Sequence, residues 1–227
     1  MFGMGASFMA LFARVGGMKR ILKHIFSGFC FLLSLIFNNF VGTICKKIKY
    51  GVCSANFHRK LKHHGKNITI KDRNLFEGLK YVSIGDDFSA QDGTWIGAYS
   101  EYGGEKYTPS IQIGNNVHFS RNCHIGAIQK VVIEDNVLLG SNVLINDHSH
   151  GETFDFSKPR HQLPLYSKGN ILIGANTWIG DNAIILSGVH IGKNCVIGAN
   201  AVVTKSFDEE GLVIAGNPAR IVKRKDS

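Results

Sequence analysis

The sequence predicts an all-β solenoid: a prism of about five three-sided coils, preceded by N-terminal helical segments. Three observations carry this expectation. From Ile173 onward an aliphatic residue opens every sixth position, at Ile173, Ile179, Ile185, Ile191, Ile197 and Val203. Between these positions Gly, Asn and small residues recur. Ahead of this pattern lies a basic, apolar stretch with no acidic residue before Asp72.

The period decides the element type. A helix repeats every 3.6 residues, and Gly or Asn every few positions would destabilise one. A six-residue unit gives a short strand with one inward aliphatic residue, then a tight turn. Gly, Asn and Asp suit that turn because they tolerate positive φ. Three such sides close one coil, and stacked coils bury an aliphatic column that no single repeat could bury alone. The same frame recurs at Ile84, Ala90 and Ile96, at Ile113, Phe119 and Ile125, and at Ile133, Leu139 and Ile145. Fifteen hexads in five groups of three follow.

Three interruptions break the frame. Residues 101–112 leave it, a two-residue slip separates Ile125 from Ile133, and the longest excursion lies between Ile145 and Ile173. Loops thrown outward from a regular solenoid are where function collects. The expected organisation is a basic, apolar helical region over 1–67, a β-helix over 68–206 with an external loop at 149–170, and a C-terminal cap over 207–227.

Charge is divided along the chain. Of 26 Lys and Arg residues, twelve precede Asp72; the remaining 14 face all 17 acidic residues. The net charge of +9 therefore belongs to the N-terminal third. There the basic residues bracket an uncharged run, Ile25 to Cys45, with Lys19, Arg20 and Lys23 before it and Lys46, Lys47 and Lys49 after it. That pattern points to a membrane surface or an acidic polymer rather than to nucleic acid. The 21-residue run is long enough to cross a bilayer, but Asn38 and Asn39 interrupt it. Spanning, lying on the surface through residues 19–49, and packing as helices against protein all remain open. No A-x-A cleavage site follows, so no removed signal peptide is expected. Met1 and Met18 both stand as starts. Five scattered Cys without a C-x-x-C pair predict neither a disulfide framework nor a zinc site.

Three motifs narrow the reading: INDHSHG at 145–151, WIGDNAIILSGVHIG at 178–192, and IGANAVVTKS at 197–206 with AGNPARIVK at 215–223. With the hexads, they resemble the hexapeptide-repeat acyltransferases, and more narrowly the sugar O-acetyltransferases of galactoside, maltose and O-antigen type. The resemblance covers roughly residues 68–225. It implies a left-handed parallel β-helix, an exception to the usual right-handed crossover. It also implies acetyl-CoA as co-substrate, no metal, and a homotrimer with coenzyme between neighbouring prisms.

Within that resemblance His148 is the expected catalytic base. Direct acetyl transfer needs a group to take the hydroxyl proton, and an imidazole with an ordinary pKa near ~6.5 suits the task. His150 is the competing position. Ser120 stands where the family has an acceptor-binding Asn, a departure that keeps hydrogen-bonding capacity. Trp178, Asp181, Ala199, Thr204, Lys205, Arg220 and Lys223 match coenzyme-contacting positions. Thr204, Lys205, Arg220 and Lys223 are suited to phosphate. The expected function is O-acetylation of a sugar in a cell-surface polysaccharide or its precursor, in the bacterial cytoplasm or at the inner membrane. Acetylation of a small molecule remains an alternative. A non-enzymatic or metal-binding prism, with His118, His124 and His148 as available ligands, is another.

Overall fold

The computed structural model describes residues 22–35 and 42–225. Three parallel sheets form the sides of a left-handed β-helix. The first contains strands His63–His64, Val82–Ile84, Ser110–Ile113, Lys130–Ile133, Ile171–Ile173 and His190–Ile191. The second runs from Thr69–Ile70 to Val196–Ile197, then adds Leu212–Ala215 and the antiparallel Arg220–Arg224. The third contains Leu75–Glu77, Trp95–Ala98, His124–Ala127, Leu144–Asn146, Ile184–Ile185 and Val202–Val203.

The register stacks hexad openers on one another. Ile113 pairs with Ile84 and Ile133, Ile173 with Ile133 and Ile191, and Ile145 with Ile125 and Ile185. These columns are buried and form one continuous core. Each large aliphatic side chain contributes roughly 1.5–3 kcal/mol on leaving water. One coil precedes the five read from the hexads: His64, Ile70 and Phe76 sit in register with Ile84, Ala90 and Ile96. Its openers include a His and a Phe, so an aliphatic pattern does not reveal it.

Corners are closed by Asn in the left-handed region, with φ near 58° at Asn142, Asn182 and Asn200. A left-handed residue costs roughly 1–2 kcal/mol, least for Gly, Asn and Asp. The Asn side chains offset that cost by linking coils. Asn122 donates to Asn142 at 3.1 Å and Asn142 to Asn182 at 2.9 Å.

Ahead of the prism, residues 22–35 form a helix, α1, and Gly42–His58 a second, α2. The chain divides into two compact units between Lys49 and Tyr50, a boundary inside α2. In the second unit Phe57 packs its ring on Phe76, centroids 4.4 Å apart, and Ser54 accepts the Ile70 amide at 2.9 Å. The apolar run is not one described helix; no helix among the described residues is long and apolar enough to cross a membrane. Met1, Met18, Lys19, Arg20, Asn38 and Asn39 lie outside the described residues.

Candidate active site

The outward-facing positions of the third sheet build the site. Glu77, Gly97, Gly126 and Asn146 are in register on successive strands. The two glycines leave space over that column. A Cβ on Gly126 would lie 2.1 Å from Asn146 Oδ1 and 3.2 Å from His148 Cε1; one on Gly97 would lie 2.4 Å from the Tyr99 hydroxyl. Into this space fit the rings of Tyr99 and His148, edge to face with centroids 5.5 Å apart. His148 thus lies outside the three-sided core, on the corner where the longest excursion begins, with 8% of its side chain exposed.

Asp147 holds the imidazole. Its carboxylate is wholly buried. Oδ1 accepts the Ile128 amide at 2.9 Å and faces His148 Nδ1 at 3.0 Å, while Oδ2 accepts the Gln129 amide at 2.9 Å. The two-residue slip after Ile125 frees those amides from the regular ladder, and the carboxylate one coil later satisfies them. A buried anion held by backbone N–H groups is a fixed acceptor. It assigns the proton to Nδ1 and leaves Nε2 as the basic nitrogen of His148. Ser187 donates to the Asp147 carbonyl at 2.7 Å, and Asn146 Nδ2 to the His148 carbonyl at 3.0 Å, fixing the backbone on both sides.

The two outer loops meet at this corner. Residues Glu101–Tyr102 and Glu105–Lys106 form a hairpin, and Ser149–His150 pair antiparallel with Leu165–Tyr166. The Tyr107 hydroxyl accepts the Leu165 amide at 2.8 Å and donates to its carbonyl at 3.2 Å. Tyr102 donates to the His161 carbonyl at 3.1 Å and packs on the His150 ring at 5.2 Å. Inside the long loop the Arg160 guanidinium donates to the carbonyls of His150, Glu152 and Thr153. His150 is exposed and belongs to this loop framework.

Below His148 the rings of Trp95 and His124 stack at 4.3 Å, 2° from parallel. Trp95 Nε1, His124 Nε2 and Asn146 Oδ1 are buried without a hydrogen-bond partner among the described residues, and all three belong to this side of the prism. Burial, then the neighbouring His148, lower the His124 pKa. Burial and the Glu77 charge push the Tyr99 phenol up to about 12, with the Trp95 indole opposing. Both causes favour the neutral form of His124.

The remaining predicted positions fall into separate groups. Ser120, Asp181 and Ala199 follow strands of the second sheet, on the corner leading to the third. Asp181 Oδ1 accepts the Ser141 amide at 2.7 Å, so its carboxylate serves the coil stack. Thr204 and Lys205 are exposed just after Val202–Val203, on the corner that carries His148. Trp178, 52% exposed, lies on the face of the second sheet, which Arg220 and Lys223 share at its end. Arg220 donates to the Ala219 carbonyl at 2.8 Å, and the Lys205 ammonium sits 5.6 Å from the Phe207 ring centroid. One protomer thus gathers His148, Thr204 and Lys205 along one edge of the third sheet and Ser120, Asp181 and Ala199 along the other. His118, on the second sheet, is engaged by Ser89 at 2.7 Å and Asn116 at 3.0 Å, apart from His124 and His148. Among the described residues no group of three or more His, Cys, Asp or Glu could hold a metal ion.

Residue reasoning missed Asp147, Tyr99, Trp95 and His124 as parts of the site. The signal for Asp147 was present in the pairing of a frame slip at 128–129 with an Asp at the next break. The ring cluster had none, because its pairs, Tyr99 with His148 and Trp95 with His124, come from different coils and meet only through stacking.

Residues 170–205 match the family described as bacterial transferase hexapeptide (six repeats), and residues 130–145 the hexapeptide repeat of succinyl-transferase. The chain is 32% identical over 149 residues to the putative lipopolysaccharide biosynthesis O-acetyl transferase WbbJ of Escherichia coli K12, covering 63% of this chain and 71% of that protein. It is 38% identical over 117 residues to the galactoside O-acetyltransferase of the same organism, covering 52% of this chain and 55% of that one. Among solved structures, a galactoside acetyltransferase in complex with coenzyme A superposes with a TM-score of 0.52 at 27% identity, covering 75% of this chain and 68% of the other.

Proposed function

The chain belongs to the hexapeptide-repeat acetyltransferase family, and on that premise we propose that it transfers the acetyl group of acetyl-CoA to a sugar hydroxyl. The acceptor we infer is a cell-surface polysaccharide (O-antigen, capsule or exopolysaccharide) or its precursor. The observation that carries the reading is the Asp147–His148 pair, with Nδ1 at 3.0 Å from a buried carboxylate oxygen. His148 Nε2 takes the hydroxyl proton as the sugar oxygen attacks the thioester carbonyl. The tetrahedral adduct collapses with loss of the coenzyme thiolate, and the proton on Nε2 passes to that sulfur. Asp147 stabilises the transient imidazolium without leaving its backbone donors.

Exposed Thr204, Lys205, Arg220 and Lys223 suit a polyanionic coenzyme, and Lys205, Arg220 and Lys223 form no ion pair among the described residues. Trp178, Asp181 and Ala199 would line the coenzyme's arm, and Ser120 would orient the acceptor. Two residue groups on opposite edges of one sheet favour a homotrimer, in which one protomer's edge faces its neighbour's. The exposed apolar residues of α1, among them Phe26, Phe29 and Leu32, support attachment to the cytoplasmic face of a bacterial membrane. WbbJ's name favours a lipopolysaccharide acceptor over a free sugar.

His148→Ala tests the base. The expected result is a drop in kcat of about 10²–10⁴ with the melting transition preserved; near-normal turnover refutes the assignment. Mass spectrometry of surface glycan from cells with and without the gene tests the acceptor, the expected difference being one acetyl group per repeat.

A further inference from the structure

At the N-terminal end of the prism a groove of about 880 Å³ opens between the last turns of α2 and the first coil. Exposed Leu75 and half-buried Phe76 give it an apolar floor above the buried Phe57 and Leu79. Lys60, Lys71, Arg73 and Lys80 line it with positive charge, against one acid, Asp72. None of the four cations forms an ion pair among the described residues. The Lys80 ammonium lies 5.0 Å from the Tyr81 ring centroid.

Arg73 sets this groove apart. Among the described residues with positive φ, every non-glycine other than Arg73 is Asn or Asp; Arg73 has φ 56°. The corner that elsewhere takes the residue best fitted to the left-handed region here takes a cation that is not. Strain retained at a single corner of a regular stack marks a selected side chain.

The groove and His148 share one side of the prism. Leu75, which also lines the groove, begins a ladder that runs through Trp95 and His124 to Leu144, in the strand of Asn146. Three strand spacings of ~4.8 Å separate Leu75 from Leu144 along the sheet, about 14 Å, and His148 follows at the far end of that last strand. Between them lies the Trp95–His124 stack with its unpartnered nitrogens.

We propose that this groove binds the phosphate of a lipid-linked acceptor, holding the first lipid carbons on Leu75 and Phe76 and leading the saccharide along the third sheet to His148. The proposal rests on the acetyltransferase reading and specifies its acceptor as a lipid-linked precursor. Four cations without an ion pair among the described residues match a phosphate or diphosphate, and the apolar floor separates an amphiphile from a soluble anion.

The test uses the full chain and phosphatidylcholine vesicles carrying either polyprenyl phosphate or, at equal charge, phosphatidylglycerol. Binding to polyprenyl phosphate vesicles should be about tenfold tighter, a gap of about 1.4 kcal/mol. Inorganic pyrophosphate should compete for it. The double variant Lys71→Glu/Arg73→Glu, checked for an unchanged melting transition, should lose the preference and keep the weaker binding common to both lipids. Equal affinity for the two lipids, absence of competition, or a preference that survives in the double variant would each overturn the assignment. Binding of acetyl-CoA by the wild-type chain is measured in parallel. Coenzyme binding with no vesicle preference removes the groove's role alone, whereas no coenzyme binding counts against the acetyltransferase reading.

Discussion

The coils from Ile171 to Val203 and the corner formed by residues 146–166 use the same strands and turns, yet they treat polar groups in opposite ways. In the regular coils corner Asn side chains bond to their counterparts one coil away, as Asn176 does to Asn194 at 3.0 Å and Asn142 to Asn182 at 2.9 Å. At the interrupted corner a carboxylate is buried to satisfy two displaced amides and one imidazole, and on the adjoining sheet face Trp95 Nε1, His124 Nε2 and Asn146 Oδ1 have no partner among the described residues. Repetition satisfies polar groups by symmetry. Breaking the repetition creates polar groups that need something else, and this protein places its imidazole among them.

Substitutions should expose that contrast. The largest effect in the pair is expected from Asp147→Asn. Its amide nitrogen cannot accept the Ile128 or Gln129 N–H, and the charge facing His148 is gone. We expect kcat to fall about 10²-fold and stability to drop by about 1–3 kcal/mol, read by steady-state kinetics and urea denaturation. Retained activity would show that His148 is oriented by other contacts.

Gly126→Ala should separate geometry from charge. Its Cβ would press on Asn146 and His148, so the expected outcome is at least a roughly tenfold loss of kcat with a smaller change in stability. A shift in KM alone would argue that the ring keeps its place. In the regular coils, Asn182→Ala should act on stability only. It removes the link from Asn142 and leaves a left-handed Ala, together costing about 1–2 kcal/mol with kcat unchanged.

The smallest effect concerns pH. The folded state lowers the His124 pKa through burial and the nearby His148. Neutral His124 is then the folded form, and its contribution is complete above the unfolded value of about 6.5. It is lost as pH falls from there towards the depressed folded value. His58 shifts in the same direction, also through burial first. His124→Gln should therefore flatten part, not all, of the decline in melting temperature between about pH 7 and pH 5. An unchanged slope would remove His124 from the account.

The prism was legible in the sequence because a hexad is local. An inward aliphatic residue and a positive-φ turn lie within six residues, and their repetition dictates stacking. Hence Ile133, Leu139 and Ile145 were assignable to a core column without coordinates. The coil at His64, Ile70 and Phe76 escaped because its openers are not all aliphatic. His148 was proposed from its place at the longest break and from the NDHSHG resemblance, and the structure puts it outside the core beside Asp147.

Tertiary structure alone decided what surrounds His148. Asp147 meets the Ile128 amide, 19 residues earlier, only because successive coils superimpose. Tyr99, Trp95 and His124 gather on one face because the register aligns strands from different coils. The basic groove likewise needs α2 to return against the first coil. The sequence by itself determined which side chains face inward, since that follows from local period. Which outward side chains become neighbours depends on loop lengths and stacking register, and those are settled only when the coils close upon one another.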